Sequence, residues 1–231
     1  MENKVENEHW RIGDAVLYKN NQLIAFNKPI GVPVQADKTG DKSLLDLAEI
    51  YCKSRLSLIH RLDRPASGVV LLAKNKGAAA AISQQFKEKT VEKTYLAIVK
   101  NRPPKDKDTL IHYLRKSSKN NLTRVFEKEE KESKKAELQY EILASSDNYH
   151  LLKINLLTGR YHQIRAQLAA IGSPIKGDVK YGFRRGNRDR SIDLHAWKLN
   201  FQHPVSNEKV ALVADCPEGG VWDFFKDKGV I

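Results

Sequence analysis

A single carboxylate set among cations is where this chain shows the clearest capacity for chemistry. Asp63 lies in His60-Arg61-Leu62-Asp63-Arg64-Pro65-Ala66-Ser67-Gly68, and Val69-Val70-Leu71-Leu72-Ala73-Lys74 follows. The second half is a run of β-branched and aliphatic residues, which reads as a strand buried on both faces. The first half is a charged loop, stiffened by Pro65 and free at Gly68 to adopt a positive φ or a close approach. Charge at the mouth of a buried strand is costly unless it is paired or put to use. No second carboxylate and no cysteine lies near Asp63 in sequence, which argues against a metal ligand and against a carboxylate pair. The flanking cations favour its ionised form. An ionised, locally desolvated aspartate is a nucleophile or a general base.

Three more stretches carry polar chemistry. Tyr95 falls in Lys93-Thr94-Tyr95-Leu96-Ala97-Ile98-Val99, a strand in which it shares a face with Ala97 and Val99. A core tyrosine is the default reading of that position. Thr158-Gly159-Arg160-Tyr161-His162-Gln163-Ile164-Arg165 leads into a helix with Ile164, Leu168 and Ile171 as its apolar stripe and Gly172 at C′. His162 and Arg165 are three apart and share a neighbouring face near the helix start. Phe183 to Asp189 is a loop rich in Arg and Gly, with Arg184, Arg185 and Arg188, then Arg190. Such a loop suits phosphate contacts, and an exposed loop without a partner fits it nearly as well.

The Asp63 stretch resembles the catalytic motif of pseudouridine synthases of the RluA type: His-Arg-Leu-Asp, then Ser-Gly, then an aliphatic run ending in Ala-Lys. Ala66 stands where threonine is common in that family, and a small residue is retained. Four other segments continue the resemblance in order: Lys28-Pro29-Ile30-Gly31, Lys93-Thr94-Tyr95, Thr158 to Arg165, and Leu194-His195-Ala196. Pro174-Ile175-Lys176-Gly177-Asp178 and Lys180-Tyr181-Gly182 extend it. The likeness covers about 15 to 215 and implies Asp63 as the catalytic residue, Tyr95 stacking on the target base, and Arg165 paired with Asp63. A desolvated carboxylate needs orientation and charge compensation, and a guanidinium supplies both. Arg61, Arg160, His162, Ile164, Arg184 and Arg185 are expected to bind substrate, with Ile164 packing near the uracil. Arg61 or a neighbouring cation would take the place of the displaced base in the RNA. The Lys28 segment is expected to be a turn closing the sheet edge rather than a chemical participant.

Elements that could hold these residues follow from periodicity and punctuation. Val16–Tyr18 and Leu23–Phe26 flank Asn20-Asn21 as a hairpin. Ser43 caps a helix reaching Tyr51, with Leu44, Leu47, Ala48 and Tyr51 apolar. Gly77 to Lys89 is a second helix with Ala79, Ile82 and Phe86 on one stripe. Ala136–Leu143, Tyr149–Leu157, Leu194–Leu199 and Glu208–Ala214 read as strands, Leu110–Leu114 as another, and Trp222–Phe225 as a short closing helix. Between 101 and 135 the chain holds eleven basic and six acidic residues, a mixture that usually makes a solvated surface. Short connections forbid a purely parallel sheet, so the fold class is α+β with a mostly antiparallel or mixed sheet. The resemblance implies the pseudouridine synthase fold: one long mixed sheet flanked by helices, with a central cleft. The expected division is a loose tail over 1–12 and one catalytic domain over 13–231, without a preceding S4 domain.

The chain has 231 residues and a formal net charge of +12. Such an excess favours a polyanionic partner, usually nucleic acid. No apolar run approaches the ~20 residues of a membrane span, and the first residues lack a signal-peptide core. The two cysteines, Cys52 and Cys216, are far apart, which fits a reducing compartment and no zinc site. The expected function is isomerisation of uridine to pseudouridine in ribosomal or transfer RNA, with no cofactor and no metal. The enzyme would be a cytoplasmic monomer acting on RNA and not on DNA or a membrane. The alternatives are an RNA-binding protein with a decayed site and a glycosidic-bond hydrolase. The intact Asp63, Tyr95 and Arg165 weigh against the first, and the lack of a second placed carboxylate weighs against the second.

Overall fold

The structure, a computed structural model, describes residues 10–117 and 119–231. In chain order the elements are β1 (Val16–Lys19), β2 (Leu23–Lys28), α1 (Leu44–Cys52), β3 (Ser57–Leu58), β4 (Ser67–Ala73), α2 (Lys76–Glu88), β5 (Glu92–Val99), β6 (Lys107–Lys116), β7 (Thr123–Phe126), β8 (Lys134–Ser145), β9 (His150–Leu156), α3 (Gln163–Ala170), β10 (Leu194–Gln202), β11 (Lys209–Val213) and α4 (Val221–Asp227). Short 3-10 turns occupy Ile12–Ala15 and Val179–Tyr181. Eleven strands form one sheet, with the path β1-β2-β4-β10-β5-β9-β8-β6-β7 and with β3 and β11 pairing β4 and β10.

Among the described residues every strand pairing is antiparallel except β4 with β10. This is the expected α+β class with a mixed, mostly antiparallel sheet. The parallel junction is short, pairing His195 with Ser67 and Ala196 with Gly68. Gly68 has φ of +114°, and a Cβ there would sit 2.2 Å from the Ala196 carbonyl oxygen. No other residue can hold this approach, so Gly68 fixes where the Asp63 loop meets β10. Ser67 and His195 cross the same junction: Ser67 Oγ lies 2.8 Å from His195 Nδ1, and His195 Nε2 lies 3.1 Å from the Ala214 carbonyl. The carbonyl requires an N–H at Nε2, so Ser67 donates to Nδ1.

The buried run after Asp63 becomes β4, buried at every position. Its alternate side chains enter two cores. Val70 and Leu72 pack with Leu44 and Ala48 of α1, while Val69, Leu71 and Ala73 pack with Ala78 and Ile82 of α2. Full burial of one leucine is worth ~1.5–3 kcal/mol, so this strand is a rigid anchor for the loop before it. β5 is divided in the same way. Ala97 and Val99 face Ile164 and Leu168 of α3, and Leu96 and Ile98 face Trp222 and Phe225 of α4.

Local chemistry explains the boundaries. Asn20 Oδ1 accepts from Gln22 N and Leu23 N, which closes the β1–β2 hairpin. Ser43 and Asp46 form a capping box at the start of α1. Gly172, with φ of +80°, ends the α3 region as expected. The periodicity did not announce β7 or the two-residue β3. The tail expected over 1–12 needs correction at its end, because Trp10 and Ile12 pack against the α1 core. Residues 1–9 of that reading lie outside the described residues.

Candidate active site

Strand β10 lies between β4 and β5, so it brings the Asp63 loop beside Tyr95. A cleft of about 1130 Å³ opens there, lined among others by Arg61, Asp63, Tyr95, Ile164 and Arg165. The loop is held by its backbone. Ala66 N donates to Asp63 O at 3.1 Å, Gly31 N to Arg64 O at 3.0 Å, and Ile192 N to Pro65 O at 3.1 Å. Lys28, fully buried, donates from Nζ to the carbonyls of Pro29, Val32 and Arg64 at 2.8, 3.0 and 3.3 Å. The Lys28 segment is thus the turn that the sequence suggested, with an ammonium at its centre tying it to the Asp63 loop. Burial pulls the Lys28 pKa down to about 7 against the attraction of Asp63.

Asp63 pairs with Arg165, whose Nη1 donates to Oδ2 at 2.9 Å. The sequence-adjacent cations take other positions. Arg64 turns to Asp37 and Asp41 on the rim, and Arg61 is exposed at the cleft edge. The compensating charge on Asp63 therefore comes from a residue 102 positions away.

Arg165 in turn is clamped from behind. Asp178, 1% exposed, accepts from Nε at 2.7 Å and from Nη2 at 2.8 Å in a bidentate pair. Burial works against the Arg165 charge, and Asp178 with Asp63 more than offsets it, so its pKa rises further. Asp178 is a second carboxylate in the same cluster, brought there by the fold and not by nearness in sequence. Both its oxygens are bound to Arg165, so it cannot supply the second free carboxylate of a hydrolase.

The Thr158 to Arg165 motif builds the opposite wall. Gln163 Oε1 accepts from Thr158 Oγ1 at 2.7 Å and from Arg160 N at 3.0 Å, which fixes the turn before α3. His162 precedes the helix in the left-handed region, with φ of +52°. Its ring stacks on Tyr161 at 3.8 Å, its Nδ1 lies 2.9 Å from Tyr181 Oη, and its Nε2 lies 3.7 Å from Asp63 Oδ2. Burial lowers the His162 pKa to about 4 although Asp63 pulls it up, so the ring is neutral at neutral pH. Tyr95 lines the cleft from β5, half-buried, and shares its core with Ile164. Burial, then the Asp63 carboxylate, push its pKa up, so it presents a neutral phenol and not a phenolate.

Of the expected site residues, Asp63, Tyr95, Arg165, Arg61, Ile164, His162 and Arg160 all line this cleft. Arg184 and Arg185 do not; they are exposed on the loop beyond the Val179–Tyr181 turn. Sequence reasoning gave no role to Asp178, Tyr181, Gln163 or Thr158. The available signal was their place inside motif stretches, without any pattern that would pair them.

Residues 22–170 match the sequence profile of the family described as RNA pseudouridylate synthase. The chain belongs to this family and is an RNA pseudouridine synthase. It is 34% identical over 207 residues to "Ribosomal large subunit pseudouridine synthase C" of Rickettsia bellii, covering 87% of this chain and 68% of the relative. It is 31% identical to "tRNA pseudouridine synthase C" of Pectobacterium carotovorum, covering 94% of this chain and 63% of the relative. The chain thus spans about two thirds of the length of such relatives. The solved structure of "Human RNA Pseudouridylate Synthase Domain Containing 4" superposes with a TM-score of 0.74 at 24% identity, covering 90% of each chain. "Human RNA Pseudouridylate Synthase Domain Containing 1" gives 0.72 at 23% identity, covering 95% of this chain and 96% of that one. The pseudouridine synthase fold expected from the motifs is the fold observed. No helix among the described residues is long and apolar enough to cross a membrane.

Proposed function

We propose that Asp63, Tyr95 and Arg165 carry the conversion of uridine to pseudouridine in a structured ribosomal or transfer RNA. The observation that supports this most is the Asp63–Arg165 pair at 2.9 Å, held from behind by Asp178 and facing Tyr95 across one cleft. The reaction breaks the N1–C1′ bond, turns the uracil and joins its C5 to C1′. Asp63 is the reacting carboxylate, as nucleophile or base. Arg165 orients it. Tyr95 and Ile164 hold the uracil while it is detached, and the target nucleotide leaves its stack to reach them. Arg61, exposed at the mouth, fills the gap left in the RNA, and Arg160 and His162 complete the wall.

The atoms balance without an added group, so the reading includes no cofactor and no metal. The reading takes the protein to act as a monomer. One sheet runs from Val16 to Val213, which supports one catalytic domain over 13–231. The +12 charge supports a polyanionic partner, and uridine is a ribonucleoside, which favours RNA over DNA. Both cysteines are free thiols, which accords with a cytoplasmic site.

The test is a map of pseudouridines in ribosomal and transfer RNA from cells lacking the gene, then repair of a lost site by the purified protein. Asp63→Asn should fail to restore it while still binding the RNA. Tyr95→Phe should retain more activity than Tyr95→Leu. Release of free uracil, or full activity of Asp63→Asn, would overturn the assignment.

A further inference from the structure

Beyond the pocket for the target base, the cleft wall made by the end of α2 and the start of β5 is lined by cations without carboxylate partners. Phe86 lies half-buried in that wall, its ring stacked on His60 at 5.1 Å. Lys89 caps the end of α2, left-handed with φ of 61°, and its N–H donates to Gln85 O and Phe86 O. This turn leaves Lys87 and Lys89 exposed on the cleft lining. Lys93 enters from β5, with Nζ 5.9 Å from the Phe86 ring centroid. The same Nζ is 4.0 Å from where a Cβ on Gly159 would stand.

The neighbouring carboxylates turn to other partners. Glu88 accepts from Gln84 Nε2 at 2.6 Å, and Glu92 accepts from Asn200 Nδ2 at 3.0 Å. Among the described residues no salt bridge includes Lys87, Lys89 or Lys93. Burial, and then repulsion from Lys89, lower the Lys93 pKa. A half-buried cation with a second cation beside it is stabilised by an arriving anion, whose charge offsets both penalties.

Position identifies the anion. Lys93 and Tyr95 are two apart on one strand face, about 7 Å. A group bound at Lys93 therefore lies within one nucleotide's reach of a uracil at Tyr95. We propose that Lys87, Lys89 and Lys93 form a phosphate-binding subsite that grips the RNA strand beside the target nucleotide. The proposal rests on RNA as the substrate and on Tyr95 as a wall of the uracil pocket. It moves the principal backbone contact from the Arg184–Arg190 loop to the cleft itself. Gly159, opposite Lys93, presents no side chain to that space.

The test is the affinity of the protein for a fluorescent single-stranded oligouridylate, measured from low to moderate salt. Lys87→Gln/Lys89→Gln/Lys93→Gln is compared with Lys53→Gln/Lys209→Gln/Lys228→Gln, which removes the same charge at exposed sites outside the cleft. Three lost phosphate contacts should flatten the slope of log affinity against log salt by about 2, at ~0.7 per contact. Affinity at low salt should fall roughly tenfold or more, and the distant triple variant should keep most of its slope. Lys87→Gln/Lys89→Gln alters only exposed side chains; it guards against misfolding at Lys93 and should show about two thirds of the flattening. An unchanged slope in the cleft variants overturns the subsite, as does equal flattening in the distant variant. Pseudouridine formation by the wild-type protein is assayed separately, so a failed subsite and a failed substrate assignment give different results.

Discussion

Two arginines in this molecule each sit between two aspartates, and they do different things. Arg165 lies between Asp63 and Asp178, with its side chain 5% exposed. Arg64 lies between Asp37 and Asp41, with its side chain 36% exposed. The chemistry is the same, a guanidinium and two carboxylates. In the first, Arg165 and Asp178 have left water, Asp63 is largely buried, and losing Arg165 strands both carboxylates. In the second, water and salt screen every member, and the ions hold a rim loop in place with little net gain. Burial, not the number of ion pairs, separates a constellation able to orient a reacting carboxylate from one that decorates a surface.

The largest expected effect comes from breaking the buried cluster. Arg165→Met leaves Asp63 and Asp178 uncompensated, and Asp178→Asn removes the clamp. Each should lower unfolding stability by about 3–5 kcal/mol, and Arg165→Met should abolish pseudouridine formation. Denaturant unfolding with a single-turnover assay checks both. Because the two residues share one cluster, Arg165→Met/Asp178→Asn should cost clearly less than the sum of the single changes. Additive costs would mean that the pair is not coupled.

A smaller effect should appear in acid, and its position in pH distinguishes the two regions. Burial, the largest cause at each, holds His60, His162 and His195 near pKa 4 in the fold. In the unfolded chain histidine takes up its proton near 6.5. Between these values the unfolded chain binds more protons, so stability falls as pH drops from about 6.5 to 4. Asp41 is depressed first by its hydrogen bond from Arg64, and Asp37 first by Thr39, so what they contribute is lost only below the ordinary carboxylate range. Unfolding midpoints at pH 7.5, 6 and 5 should therefore fall in wild type and fall less steeply in His195→Gln. An unchanged pH slope in His195→Gln would assign the acid loss elsewhere.

The smallest effect belongs to the exposed cluster. Arg64→Gln should leave the unfolding midpoint within experimental error, with any shift vanishing at high salt. Activity should also survive, because the Asp63 loop is held by backbone bonds and by Lys28. A loss as large as that of Arg165→Met would erase the distinction between the two clusters.

How much of this was legible beforehand depends on how local each cause is. The helix caps at Ser43 and Gly172, the Asn20 hairpin and the doubly buried strand β4 are written in a few neighbouring residues. So is the place of Asp63, in a motif continuous along the chain. The fold class followed from the order of these elements and the shortness of their connections.

What charge meets Asp63 was decided by the tertiary structure. Arg61 and Arg64 stand beside it in sequence and face elsewhere, while Arg165 arrives from 102 positions away. Asp178 has no local pattern that marks it, because its role exists only once the chain behind Gly177 folds under α3. The Arg184 loop is basic in sequence and outside the cleft in space, whereas Lys87 and Lys89 belong to no motif and line it with Lys93. The sequence by itself determined the elements, the fold family and the motif that holds Asp63, since these depend on local propensity, pattern and an unbroken motif. Only the tertiary structure decided which charges are compensated and which remain free to hold a phosphate. Electrostatic partnership depends on distance and burial, and neither is a function of separation along the chain.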